Sequence, residues 1–138
     1  MIKGISHIGI VVDDMEASIE FWSEAMGLRK YDELEIPVEG IRSVFLSVGG
    51  TPDEMTIELM EPLDKSDMNN AVARRLAKHG EGFYHLAVNV EDIQASGQHL
   101  AQRGLKPIER PAIDAQAAPR WLLHPRDANG VMVEGLER

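Results

Sequence analysis

The sequence predicts an α+β fold made of two copies of a strand–helix–strands unit joined by a further helix. Three observations predict it. The chain repeats itself, each repeat opens with a strand-like alternation, and each alternation is followed by helical spacing. Residues 4–28, GISHIGIVVDDMEASIEFWSEAMGL, match residues 82–105, GFYHLAVNVEDIQASGQHLAQRGL. At an offset of 78 the identities are Gly4/Gly82, His7/His85, Val12/Val90, Asp14/Asp92, Ala17/Ala95 and Ser18/Ser96. One deletion later Gly27-Leu28 meets Gly104-Leu105. Matches in order, with a histidine among them, indicate a duplicated module with a boundary near Gly80–Gly82. The expected layout is one domain over 1–138, with module 1 at about 1–64, a linker helix at about 66–79 and module 2 at about 82–138.

Each element has its own reason. Residues 5–12 alternate with a period of two, so Ile8, Ile10 and Val12 share one face and Ile5, His7, Gly9 and Val11 the other. Leu86, Val88 and Val90 likewise oppose His85, Ala87 and Asn89. Both histidines therefore point away from the aliphatic stripe, each followed two residues later by a small residue. Asp13 or Asp14 caps the helix that follows, Met15, Ile19 and Trp22 form its buried stripe, and Gly27 ends it. In the second copy Glu91 or Asp92 caps, Ile93 and Leu100 face inward, and Gly104 ends the helix. Apolar patterns predict strands at Ile41–Val48, Thr56–Met60, Trp121–Leu123 and Val131–Leu136, with turns at Pro37, Gly49–Asp53 and Asp127–Gly130. The linker helix, from about Ser66 to His79, takes Ser66 as its cap, Met68, Val72 and Leu76 as its stripe and Gly80 as its stop.

Composition narrows the function. The chain has 138 residues, 14 Lys+Arg, 23 Asp+Glu, five His and no Cys, for a net charge of −9. Without cysteine there is no disulfide framework, thiolate metal site or sulfur nucleophile. The negative balance argues against a nucleic-acid or anionic-membrane partner. No apolar run approaches the 18 residues of a membrane span, and the N-terminus lacks a signal-peptide layout, so a cytoplasmic protein is expected.

The repeat singles out four residues. TIELME at 56–61 corresponds to MVEGLE at 132–137, so 51 residues separate His7 from Glu58 and 49 separate His85 from Glu134. Singly, a strand histidine or glutamate is an ordinary solvated or hydrogen-bonded residue. Duplicated modules, however, tend to pair about a pseudo-two-fold axis, which brings equivalent positions together. Two imidazoles and two carboxylates converging there would favour one divalent ion with two positions left open. The nitrogen/oxygen set suits Co, Ni, Mn, Zn or Fe better than Mg or Ca.

Four segments in order, ISHIGIVVDDMEASIEFW, TIELMEPL, HGEGFYHLAVNVEDI and LLHPRDANGVMVEGLE, resemble the vicinal oxygen chelate (glyoxalase/bleomycin resistance/dioxygenase) superfamily. The similarity spans essentially the whole chain and is greatest to methylmalonyl-CoA epimerases and glyoxalase I-like proteins. It implies paired βαβββ modules forming a half-open barrel around one divalent metal, with His7, Glu58, His85 and Glu134 as ligands. It also implies a homodimer and a small-molecule substrate such as an acyl-CoA.

The activity implied is proton transfer next to a carbonyl, foremost epimerisation of methylmalonyl-CoA or a similar acyl-CoA. Inversion needs two acid/base groups; the resemblance implies Glu134 as one of them, and in glyoxalase-type chemistry Glu58 or Glu134 serves as the base with the other on the metal. Two departures stand out. Several epimerases carry a glutamate on the strand before TIELMEPL where this chain has Ser43, a candidate substrate contact. Their glycine-rich loop is here Arg110–Arg120, with alanine and proline in place of glycine. Epimerases often carry glutamine where this chain has Glu58, and glyoxalase I-like enzymes carry glutamate. A lactoylglutathione lyase or a dioxygenase is thus the alternative, and a non-catalytic small-molecule-sequestering protein the alternative from another class.

Other residues have more ordinary readings. His124 of LLHP is a candidate substrate contact or a turn residue. Arg74, Arg75 and Lys78 read as the wet face of a helix before they read as a phosphate site. His79 and His99 read as surface residues, and Met55, Met60 and Met132 as core filling.

Overall fold

The computed structural model describes residues 1–110 and 118–138. The described residues form eight strands and three α-helices, and the α+β class stands. They divide into two compact units, Ile8–Tyr84 and Met1–His7 with His85–Arg138.

In the Ile8–Tyr84 unit, the second part of β1 (Ile2–Val11) leads into α1 (Met15–Glu20). That helix continues as a π-helical turn, Phe21–Ala25. Strands β2 (Arg29–Ile36), β3 (Ile41–Ser47) and β4 (Thr56–Pro62) follow, then α2 (Ala71–His79). The strand order is β2-β3-β4-β1, and β3 is antiparallel to both β2 and β4. Alternation sorts the side chains as the sequence predicts. Val12, Met15, Val44, Leu46 and Leu59 pack with Ile10, Ile19 and Trp22. Val11, Ile41, Met60 and Val72 form a separate cluster with Leu76.

The other unit holds the first part of β1, then β5 (Gly82–Val90) from His85 onward and α3 (Ile93–Gln102). Strands β6 (Ile108–Arg110), β7 (Arg120–Leu123) and β8 (Met132–Glu137) complete it, in the order β1-β5-β8-β7-β6. Strand β8 is parallel to β5 and antiparallel to β7. Its core is Val88, Val90, Ile93, Trp121 and Leu123, with Leu86, Leu100 and Val133 against it.

The two halves start their helices in the same way. Asp14 accepts from the backbone N–H of Ala17, and Asp92 from that of Ala95. A glutamate at the end of the last strand then takes the first helical N–H. Glu61 Oε2 accepts from Met15 at 2.6 Å, and Glu137 Oε2 from Ile93 at 2.9 Å. Helix-start N–H groups have no intrahelical partner, and a carboxylate there also meets the positive end of the helix dipole.

Several expectations are corrected. Helix α2 begins at Ala71, not near Ser66, because the Asn70 side chain accepts from Ala73 N–H and residues 64–70 are held in turns by their own side chains. Met68 accordingly lies outside the helix and is exposed, as is Met55, while Met60 is buried. Strands β2 and β6 are unforeseen. Both end the strand order, and their mostly exposed, charged residues carry little alternation. Of the Arg110–Arg120 loop, residues 111–117 lie outside the described residues. Among the described residues no helix is long and apolar enough to cross a membrane.

Candidate metal centre

His7 on β1, His85 on β5 and Glu134 on β8 converge within one unit. All three are buried, at 8%, 5% and 6% exposure, although the chain is acidic and each group prefers water. Their nearest ligand atoms all lie within 4.8 Å of one another. His7 Nε2 faces His85 Nε2 at 3.0 Å, with the rings almost perpendicular at 86°. Glu134 Oε2 lies 3.3 Å from His85 Nε2.

Local structure explains the convergence. Parallel pairing of β5 and β8 sets Glu134 opposite Ala87, two residues beyond His85 on the same face. Ala87 is fully buried, and its single methyl group takes little of the room beside Glu134. Ser6 Oγ lies 3.1 Å from His7 Nδ1. A proton on Nδ1 held by that hydroxyl leaves the Nε2 lone pair aimed at His85.

The donor set fits a divalent cation. Two imidazole nitrogens pointing at each other share at most one proton, and a cation between them resolves the clash while neutralising the buried carboxylate. Two nitrogens and a carboxylate oxygen form the borderline donor set that first-row divalent metals take.

Glu58 and Ser43 belong to the other unit and are also buried. Ser43 Oγ donates to Glu58 Oε2 at 2.7 Å. Ser43 on β3 pairs with Met60, two residues past Glu58, so the hydroxyl reaches the carboxylate diagonally across the strand pair. His124 is exposed, and its Nδ1 accepts from Arg126 N–H at 3.1 Å, capping the 3-10 turn Pro125–Asp127. Arg74 donates to Met68 O and Arg75 to Gly80 O and Phe83 O, so two of the three cations near α2 serve its flanking turns.

Sequence reasoning missed Arg120. It appears there only as the end of a loop, whereas it is the first residue of β7 and its Nη1 donates to Glu134 Oε1 at 3.1 Å. The available signal was its spacing of two from Leu122, which sets it on an alternating face.

The family model described as the glyoxalase/bleomycin resistance protein/dioxygenase superfamily matches residues 6–121. An ethylmalonyl-CoA/methylmalonyl-CoA epimerase of Cereibacter sphaeroides is 31% identical over 137 residues, covering 97% of this chain and 97% of that protein. A methylmalonyl-CoA epimerase from Mycobacterium tuberculosis has a similar structure, with a TM-score of 0.85, 31% identity, and coverage of 99% of this chain and 88% of that one. A Streptomyces coelicolor methylmalonyl-CoA epimerase in complex with 2-nitronate-propionyl-CoA gives a TM-score of 0.85, 26% identity, and coverage of 99% and 98%. The shared fold, the matched motifs and the buried His7–His85–Glu134 group agree: the chain belongs to the glyoxalase/bleomycin resistance protein/dioxygenase superfamily.

Proposed function

We propose that this protein epimerises methylmalonyl-CoA or a similar acyl-CoA by moving a proton at the carbon between two carbonyl groups. The observation that carries the reading is the buried His7–His85–Glu134 group in a chain similar to such epimerases along nearly its whole length. Under this reading His7, His85, Glu134 and Glu58 would hold one divalent ion, of Co, Ni, Mn, Zn or Fe. When bound, that ion supplies Lewis-acid stabilisation of negative charge developing on substrate oxygen.

The residues do the rest. His7 and His85 fix the position of the ion through nitrogens already facing each other at 3.0 Å. Glu134 and Glu58 are the carboxylates that exchange the proton at the substrate carbon. Ser43 cannot exchange a proton as a carboxylate does, so its hydroxyl serves Glu58 instead. Burial of both glutamates keeps bulk water from competing for the proton. His124 contacts the substrate through the ring edge that faces away from Arg126.

The test is exchange in deuterated water. The metal-loaded protein is incubated with methylmalonyl-CoA and the α-hydrogen signal is followed by NMR. Exchange together with inversion is expected. Absence of exchange at any protein concentration overturns the proposal, and turnover of the methylglyoxal–glutathione hemithioacetal instead assigns a lyase.

A further inference from the structure

We infer that Arg120 is a positioning residue that holds the Glu134 carboxylate in one orientation, with a single oxygen turned toward the histidines. The two oxygens of Glu134 have different neighbours. Oε1 takes the Arg120 guanidinium at 3.1 Å, and Oε2 lies 3.3 Å from His85 Nε2. A carboxylate engaged in this way cannot swing both oxygens onto one cation. It presents one oxygen as ligand or base and keeps the other in a charge-assisted hydrogen bond.

The duplicated architecture makes this a built position. In the antiparallel pair β7–β8, Arg120 is opposite Leu136, two residues past Glu134. In β3–β4, Ser43 is opposite Met60, two residues past Glu58. The same register position on the preceding strand thus supplies a donor to the acidic residue in each half. One donor is a neutral hydroxyl at 2.7 Å and the other a permanent cation at 3.1 Å. The halves therefore hold their carboxylates by one geometry and two chemistries. Arg120 is also partly buried, its side chain 19% exposed, so the pair is less open to water than a surface ion pair.

The catalytic consequence rests on the proposed epimerase reading, but the geometry does not, and the experiment separates them. Wild type, Arg120→Gln and Arg120→Lys are loaded with cobalt(II), and the visible absorption of the ion is recorded alongside circular dichroism. Losing the clamp frees Oε1 to turn toward the cation, so Arg120→Gln is expected to change the position or intensity of the cobalt bands. Arg120→Lys keeps a charged donor and is expected to restore the wild-type spectrum; it also carries the test if the glutamine variant fails to fold. With methylmalonyl-CoA, Arg120→Gln is expected to lose about tenfold or more in kcat with KM within threefold, because a misaligned base slows only the chemical step. An unchanged cobalt spectrum in a folded Arg120→Gln variant overturns the inference, as does a rise in KM at constant kcat, which would make Arg120 a substrate contact. A wild type that takes up no cobalt overturns it together with the metal reading. A changed spectrum in a protein with no epimerase activity sustains the clamp and removes the proposed function alone.

Discussion

Gly135 is the residue whose enlargement the second half should tolerate least. It follows Glu134 on β8 and lies opposite Trp121 on β7. A Cβ added there would sit 2.2 Å from Trp121 Cε2 and 2.4 Å from Cζ2, where ordinary contacts begin at 3.4 Å. The ring must therefore move by at least about 1 Å. It has little freedom to do so, being 3% exposed and packed with Val88, Val90 and Leu123. Its Nε1 also donates to Ser96 Oγ at 2.9 Å, a bond that the shift strains. Overpacking of this kind costs about 1–3 kcal/mol, and the weakened hydrogen bond adds about 1 kcal/mol. Gly135→Ala is thus expected to lose about 2–4 kcal/mol, read as a Tm drop of about 6–15 °C by calorimetry or circular dichroism. The other half offers the control. There the equivalent pair is Val44 opposite Leu59, both fully buried. Trp121→Val combined with Gly135→Leu installs that pair and is expected to recover most of the loss. It leaves no orphaned hydroxyl, since Ser96 Oγ still donates to Ile93 O at 3.0 Å. A Gly135→Ala protein that melts within about 2 °C of wild type would refute the reasoning, because the ring would then not be wedged against Gly135.

Three further outcomes are expected. The double variant His7→Ala/His85→Ala should bind no stoichiometric divalent metal; one tightly held ion per chain by elemental analysis would remove both residues from the ligand set. Glu137→Gln weakens the acceptor at the Ile93 N–H and should cost about 0.5–1 kcal/mol by urea titration, with Glu61→Gln costing a similar amount at Met15. Hydrogen bonds from Lys30 and then Arg42 hold the Glu33 carboxyl below its ordinary value. Its contribution is therefore present above the unfolded-state value, about 4.3, and is lost as pH falls through the lower folded value. The Glu33 side chain is 33% exposed, so the loss in Glu33→Gln should stay within about 1 kcal/mol and shrink in high salt, as difference melts at pH 7 and pH 3 would show.

The repeat and the alternation made most of the fold legible. Gly27 and Gly104 end α1's π-helical extension and α3 respectively, at positive φ as a helix terminator requires. Asp14 and Asp92 cap as expected. Elements whose stability comes from neighbours rather than pattern were not legible. Strands β2 and β6 are mostly exposed and exist because β3 and β7 offer them free edges. Helix α2 starts four residues late, capped by Asn70 and not Ser66, because local turns with Asp64 and Asp67 outcompete the Ser66 cap.

The site divides along the same line. A histidine opposite an aliphatic stripe and a glutamate on an alternating strand are facts of period and spacing, so His7, His85, Glu134 and Glu58 stand out as candidates in the sequence, and the structure brings His7, His85 and Glu134 together. Side-chain period fixes which face a residue occupies, but strand register decides what it meets there. Only the parallel pairing of β5 with β8 sets Glu134 over the small Ala87 beside His85. Only the antiparallel pairings set Arg120 diagonal to Glu134, and Ser43 diagonal to Glu58. Period and spacing place the four candidate side chains on their strand faces. Strand pairing sets which oxygen of each carboxylate is held and by what, because Arg120 and Glu134, 14 residues apart, and Ser43 and Glu58, 15 apart, meet only through hydrogen-bonded register.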